Sequence, residues 1–196
     1  MAKSKKPRTI LYRRKREQKT DYKQRLKLLV SRKPRLVVRF TNQRIIAQVI
    51  SFDTKGDRMI TAIDSFALKD LGWNYSYKNY PAAYLTGLLI GKKTLESGCE
   101  QVVLDVGFKQ VLKKNKVYAF LKGVVDSGLD IPHSEDDDVF PTEEQISGKQ
   151  IVDYAHGLKS KHETAYNSKF AKYLKTGAKP EQLTAMFEKI KQKILG

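Results

Sequence analysis

Arg35-Leu36-Val37-Val38-Arg39-Phe40, followed by Thr41-Asn42-Gln43 and Arg44-Ile45-Ile46-Ala47-Gln48-Val49-Ile50, decides how this chain folds. In the first run Leu36, Val38 and Phe40 fall on one face and Arg35, Val37 and Arg39 on the other, the period of two that a strand imposes. Thr41-Asn42-Gln43 supplies a turn, and the β-branched run from Arg44 returns as a second strand. Asp53-Thr54-Lys55-Gly56 turns the chain again into Arg58-Met59-Ile60-Thr61-Ala62-Ile63. Three strands joined in this way predict an antiparallel meander.

Downstream the period changes. Asn79 to Ser97 reads as a helix, with Asn79 as cap, Pro81 in the first turn, an apolar stripe of Ala82, Ala83, Leu85, Leu88 and Leu89, and Gly98 as stop. Gln101-Val102-Val103-Leu104-Asp105-Val106 is a short, mostly apolar run, as expected for a strand covered on both faces. Asn115 caps a second helix, Lys116 to Ser127, and Leu129-Asp130-Ile131 reads as a last short strand. Together these give an α/β fold with a mixed sheet, an N-terminal meander plus βαβα, packed by two main helices. Gly87 and Gly91 lie four apart on the first helix, and Ala119 and Gly123 on the second. A mid-helix glycine costs about 1 kcal/mol relative to alanine, so the pattern predicts that the two backbones approach closely.

Between the meander and the first helix, residues 64 to 78 read as a loop carrying Trp73, Tyr75 and Tyr77. Those rings can pack in the core or stack on bases, and packing is the expectation.

Working outward to the N-terminus, the charge becomes extreme. Residues 1 to 35 hold fifteen of the chain's 38 Lys and Arg and two of its 21 acids, Glu17 and Asp21, a net of +13 out of +17. The excess charge therefore belongs to an arm, residues 1 to 33, and not to the body, residues 34 to 132. An arm of this density repels itself, so a stable conformation is expected only when a polyanion neutralises it. Nucleic acid fits, because phosphate contacts release counterions whatever the sequence. The arm also offers guanidinium forks and two rings, Tyr12 and Tyr22, that can stack on unpaired bases. Within it Thr20 is expected to cap a short helix from Asp21 to about Val30, docked through Leu26, Leu29 and Val30, with Pro34 ending it. Arg8, Lys23, Arg32 and Lys33 join the binding candidates on charge. A solvated charge run or a sorting signal is the competing reading.

Residues 133 to 196 form the third part. His133-Ser134-Glu135-Asp136-Asp137-Asp138 is an acidic loop, and Thr142-Glu143-Glu144-Gln145 is a capping box opening a helix to about Ala155, interrupted by Gly148. A helix near Glu163 to Lys175 follows, then one from Pro180 to Leu195 with an apolar stripe of Leu183, Phe187, Ile190 and Ile194. These helices need a surface, on the domain or on a partner.

Composition and motif exclude several classes. The single cysteine, Cys99, allows no intramolecular disulfide and no cysteine-rich metal site, which fits a reducing, cytoplasmic setting. No apolar run approaches the length of a membrane span, and the basic N-terminus lacks the apolar core of a secretory signal. His133 and Ser134 beside Glu135 and Asp136 mimic a hydrolytic triad, but sequence neighbours rarely have triad geometry and no nucleophile elbow is present. The acidic run lacks the glycine and spaced ligands of a calcium loop. Asp105-Val106-Gly107 offers a lone strand-end acid. Phosphate-binding glycine loops are absent. No catalytic residue, metal, cofactor or small-molecule substrate is expected.

Several separate motifs converge on one family. Arg13-Arg14-Lys15-Arg16-Glu17-Gln18-Lys19-Thr20-Asp21-Tyr22, Arg35 to Arg39 through Gln48-Val49, Pro81-Ala82-Ala83-Tyr84-Leu85-Thr86-Gly87-Leu88-Leu89, Leu104-Asp105-Val106-Gly107, Leu121 to Leu129 and Ile131-Pro132-His133-Ser134-Glu135 occur in collinear order from about residue 8 to 157. Together they resemble the archaeal form of large-subunit ribosomal protein L-eighteen. The resemblance implies a structural protein of the cytoplasmic large ribosomal subunit that binds 5S rRNA and ties it to 23S rRNA in the central protuberance, beside neighbouring ribosomal proteins. It places RNA contact at Arg13, Arg14, Lys15, Arg16, Lys19, Thr20, Tyr22 and Arg25 in the arm. At the hairpin it adds Arg35, Arg39, Asn42, Gln43 and Arg44. The chain departs from the family pattern at 18, where Gln stands for the expected Gly. An RNA-modifying or RNA-processing enzyme with a basic delivery arm is the alternative, and a DNA-binding chromatin protein a third.

Overall fold

A computed structural model describes residues 10–134 and 137–196. Three strands, β1 (Arg35–Phe40), β2 (Ile45–Ser51) and β3 (Arg58–Asp64), pair antiparallel in sequence order, and a fourth, β4 (Val103–Asp105), adds parallel to β1. The sheet order is β3-β2-β1-β4, so it is mixed. The run beginning at Gln101 makes a strand of only three residues. Gln101 itself forms an isolated parallel bridge to Asp130, which is all that remains of the expected last strand. Within the 64–78 loop Ser65–Lys69 winds into a 3-10 turn capped by Asp64.

Alternation along β1 sorts the sheet into two faces. Leu36, Val38, Ile45, Ala47, Val49 and Ile63 pack with Ala83, Ile90, Phe120, Leu121 and Val124 from the two main helices, α3 (Tyr80–Glu96) and α4 (Lys116–Asp126). Each helix begins at the asparagine the sequence marks: the Asn79 side chain accepts from Ala82 N and that of Asn115 from Val117 N. The glycines explain how closely α3 and α4 approach. A Cβ built on Gly87 would lie 2.1 Å from Phe120 O, and one on Gly123 would lie 2.1 Å from Tyr84 O. Backbone meets backbone, and no side chain fits between them.

α3 is buried on nearly every side, because the tail covers what α4 leaves open. After α5 (Glu143–Ser147), Gly148 adopts φ 79° and starts α6 (Lys149–Lys161); the Thr142 N–H donates to Gln145 Oε1, one arm of the expected capping box. The single helix expected near 163 to 175 is two, α7 (Glu163–Lys169) and α8 (Ala171–Lys175), broken at Phe170. In α9 (Leu183–Leu195) the stripe Leu183, Phe187, Ile190 and Ile194 is buried against Ala82, Tyr84, Leu85 and Leu88 of α3. Each such side chain contributes about 1.5–3 kcal/mol relative to exposure. Lys92 closes the far end, donating from Nζ to Ile194 O at 2.8 Å. The surface the tail helices need is thus the domain itself. The same core takes Trp73 and Tyr75, with Trp73 Nε1 donating to Ser76 O and Tyr75 Oη to Lys179 O, so these rings pack rather than stack.

Candidate nucleic-acid interface

The face of the sheet turned away from α3 and α4 carries Arg35, Val37 and Arg39 of β1, with Gln48 and Ile50 of β2 and Asp105 of β4. Parallel pairing sets Asp105 opposite Val37, between the two arginines. Arg35 Nη1 reaches Asp105 Oδ2 at 3.0 Å, and Arg39 Nη2 reaches Asp105 Oδ1 at 3.1 Å. Arg39 Nη1 also donates to Asp105 O and Val38 O, both at 2.8 Å. Gly107, at φ 64°, turns the chain beneath this guanidinium; a Cβ there would lie 3.0 Å from Arg39 Cζ, and its N–H donates to Asp105 Oδ1. On the other side Arg35 Nη2 pairs with Asp57 Oδ2 at 2.7 Å, and Asp57 Oδ1 with Arg25 Nη2 at 2.9 Å. Arg25, Asp57, Arg35, Asp105 and Arg39 thus alternate in sign as one chain of ion pairs.

That chain seats the arm. Arg25 lies on α2 (Tyr22–Val30), so the network ties this helix to the sheet face by charge. Of the three residues expected to dock, Leu26 and Val30 are 67% and 77% exposed, while Leu29 is half-buried, as is Leu28. The rotation of α2 is set by where Arg25 finds Asp57. The cap also differs from expectation: Asp21, not Thr20, caps α2, its Oδ1 accepting from Lys23 N and Gln24 N. Thr20 Oγ1 instead accepts from Arg14 Nε at 2.8 Å.

The arm, expected to lack a conformation of its own, has a local fold in its described part. α1 (Arg13–Arg16) is one turn, and Lys19 N and Thr20 N both donate to Arg14 O as the chain doubles back. Glu17 pairs with Lys19 at 2.8 Å and more loosely with Arg13 at 3.9 Å, so both acids of the arm serve its shape. Gln18 sits at φ 50°, the left-handed region that glycine adopts without strain. This is the position at which the sequence departs from the glycine of the resemblance.

Arg14, Lys19, Thr20, Arg25, Arg35 and Arg39 come together around a polar notch of about 240 Å³. Arg35 is buried, only 4% exposed, with its Nε lacking a hydrogen-bond partner, whereas the Arg39 side chain is 41% exposed. Arg13, Lys15, Arg16, Lys23 and Arg32 are exposed and Lys33 is half-buried. Tyr12 and Tyr22 meet with ring centroids 5.9 Å apart and stay exposed. Arg8 lies outside the described residues. Asn42, Gln43 and Arg44 are not part of this group. They form the exposed tip of the β1–β2 hairpin, which Thr41 Oγ1 closes by donating to Arg44 O and accepting from Arg44 N. Arg44 pairs there with Asp64 at 2.8 Å.

Sequence reasoning passed over three lysines beside that tip. Lys78 Nζ donates to Asn42 O, Lys109 Nζ stands 3.9 Å from the centroid of Phe40, and Lys116 Nζ stands 5.9 Å from that of Tyr80. Burial, and then the ammonium groups of Lys116 and Lys78, hold Lys109 below the ordinary lysine range; burial and then Lys78 do the same to Lys116. Scattered over 39 positions of sequence, they carry no common signal. Asp57 and Asp105 were likewise illegible as partners, because only strand pairing brings them to Arg35.

Among the described residues no group of three or more His, Cys, Asp and Glu is placed to hold a metal ion, and no helix is long and apolar enough to cross a membrane. The family model for ribosomal large subunit proteins 60S L5 and 50S L18 matches residues 8–101 and 96–134, taking in the arm from residue 8, the whole sheet, α3 and α4, and leaving α5 to α9 outside. With the match spanning well over half of the chain, this protein belongs to the family of large-subunit ribosomal proteins that comprises 60S L5 and 50S L18.

Proposed function

We propose that this protein is a structural, non-catalytic constituent of the large ribosomal subunit that binds 5S rRNA and helps attach it to 23S rRNA in the central protuberance. One observation carries the reading. The ion-pair chain from Arg25 to Arg39 fixes the arm on the sheet and engages both Asp57 and Asp105, leaving Arg13, Lys15, Arg16 and Lys23 exposed and rich in positive charge. Fixed cations of this kind bind phosphate, and the exposed Tyr12 and Tyr22 offer ring faces to unpaired bases. The reading also assigns RNA contact to Arg8, Arg14, Lys19, Thr20, Arg25, Arg32, Lys33, Arg35 and Arg39, and to Asn42, Gln43 and Arg44 at the separate hairpin tip. Arg35 acts from within it by holding Asp57 and Asp105.

The test is a salt titration of 5S rRNA binding with the full chain and with a variant carrying Arg13→Gln, Lys15→Gln and Arg16→Gln. These side chains are exposed and stand outside the ion-pair chain that seats the arm. If all three meet phosphate, the slope of log affinity against log salt becomes shallower by about 2 to 3. Equal slopes, or binding no tighter than to duplex DNA or an unrelated RNA, would refute the reading.

A further inference from the structure

A second open space lies away from the arm. A cleft of about 740 Å³ lies between the hairpin tip, the aromatic loop and the tail, with α7 and α8 as its far wall. That wall falls outside the stretch matched by the family model. Four cations line the cleft, Arg44, Lys69, Lys169 and Lys172, and no carboxylate does. Arg44 has Asp64 as a partner; among the described residues Lys69, Lys169 and Lys172 pair with no acid. On its floor Phe66 and Tyr77 meet at 4.8 Å between centroids, with Lys69 Nζ 5.7 Å from the Phe66 ring. Phe66 is 49% exposed, and Tyr77 against it is anchored by its Oη donating to the carbonyl of the buried Trp73.

Three lysines without an acid partner among the described residues, beside the exposed Phe66 ring and the half-buried Tyr77, match one ligand chemistry: a phosphate backbone with an unstacked base. An acidic peptide would satisfy the lysines but leave the rings unused, whereas a nucleotide engages both. We propose that this cleft is a second RNA site, which takes an unpaired nucleotide of a single-stranded segment, stacking its base on Phe66 and Tyr77 and holding its phosphates with Lys69, Lys169 and Lys172. The proposal rests on the reading of the protein as an RNA binder, but not on the arm. It gives the tail, which has no place in the family match, a contact with RNA.

The experiment is ultraviolet crosslinking of the full chain to a single-stranded RNA dodecamer of mixed sequence, with peptide mapping, beside affinity measured over a salt series. Crosslinks are expected at Phe66 or Tyr77 in addition to Tyr12 and Tyr22. Phe66→Ala weakens binding to a protein already carrying the arm substitutions Arg13→Gln, Lys15→Gln and Arg16→Gln by about tenfold, the loss of one stacked base. Lys169→Gln with Lys172→Gln, both exposed and remote from the arm, makes the salt slope shallower by about 1.4. Crosslinks confined to Tyr12 and Tyr22, with no response to these changes, would overturn the cleft and leave the arm standing. Displacement of the RNA from Phe66 by polyglutamate but not by polyuridine would also overturn it, in favour of an acidic protein partner. Crosslinks at Phe66 that persist while the arm substitutions change nothing would keep the cleft and refute the arm.

Discussion

Removing the carboxylate of Asp105 is the sharpest perturbation of the sheet face. Asp105 holds two guanidinium groups and the N–H of Gly107, and its side chain is 8% exposed. Taking away one partner of a buried pair costs about 3–5 kcal/mol, because the remaining charge has lost its solvation as well. Two features of the site lower the figure. Arg35 keeps Asp57 at 2.7 Å, and Arg39 is open enough to rehydrate. Asp105→Ala should therefore destabilise the free protein by about 3 kcal/mol, near the bottom of that range. For a chain of this size that is about 6–12 °C in the melting midpoint. The assay is thermal unfolding followed by circular dichroism, at low salt and at 1 M salt. The shift should persist in high salt, since a buried pair is poorly screened. A companion variant, Arg35→Met with Asp105→Leu, should recover most of the loss by removing both charges together. A shift for Asp105→Ala of under about 1 kcal/mol would mean that Arg35 is satisfied by water, and the network would not be what fastens the arm.

Other consequences are as direct. Gly87→Ala should cost about 3 kcal/mol or more in thermal unfolding, since its Cβ meets backbone at 2.1 Å, while Gly157→Ala, with nothing within 4 Å in α6, should stabilise by up to about 1 kcal/mol. Gln18→Gly should relieve the left-handed backbone at φ 50° and slow tryptic cleavage after Arg16 and Lys19 in the free protein by about twofold, the strain removed being partly offset by the freer unfolded chain. Lys109 and Lys116 titrate low in the folded state, so the unfolded chain keeps their protons to higher pH. Stability should therefore gain from them as pH climbs through the lowered value toward 10.5, and Lys116→Gln should flatten that rise in alkaline unfolding curves. Tyr84 works in the opposite sense. Burial and its hydrogen bond to Asp126 push the hydroxyl up, so its contribution is lost as pH rises above 10, and Tyr84→Phe should remove that alkaline loss.

By itself the sequence determined the local elements. Period-two alternation from Arg35, asparagine caps at Asn79 and Asn115, and the paired small residues of α3 and α4 are short-range signals, and each appears in the structure where the chain places it. The concentration of charge in the arm is likewise a property of the chain alone. Segments whose ends depend on partners were less legible. β4 is short because it has β1 on one side and only a bridge from Gln101 beyond it, and the 163–175 region breaks at Phe170 where its ring turns in to pack with Tyr166 and Tyr173. The exposure of Leu26 and Val30 followed from a charge partner 32 residues from Arg25, and no helical periodicity carries that information. Tertiary structure alone decided that Arg35 is an interior brace while Arg13 and Arg16 face outward, since in sequence all are arginines among the bases of residues 1 to 35. It also decided that the tail completes the core around α3 and walls a cleft with cations from three separate segments. The physical reason is common to both: a charge acts through the medium and the partners around it, and folding, not sequence, sets those.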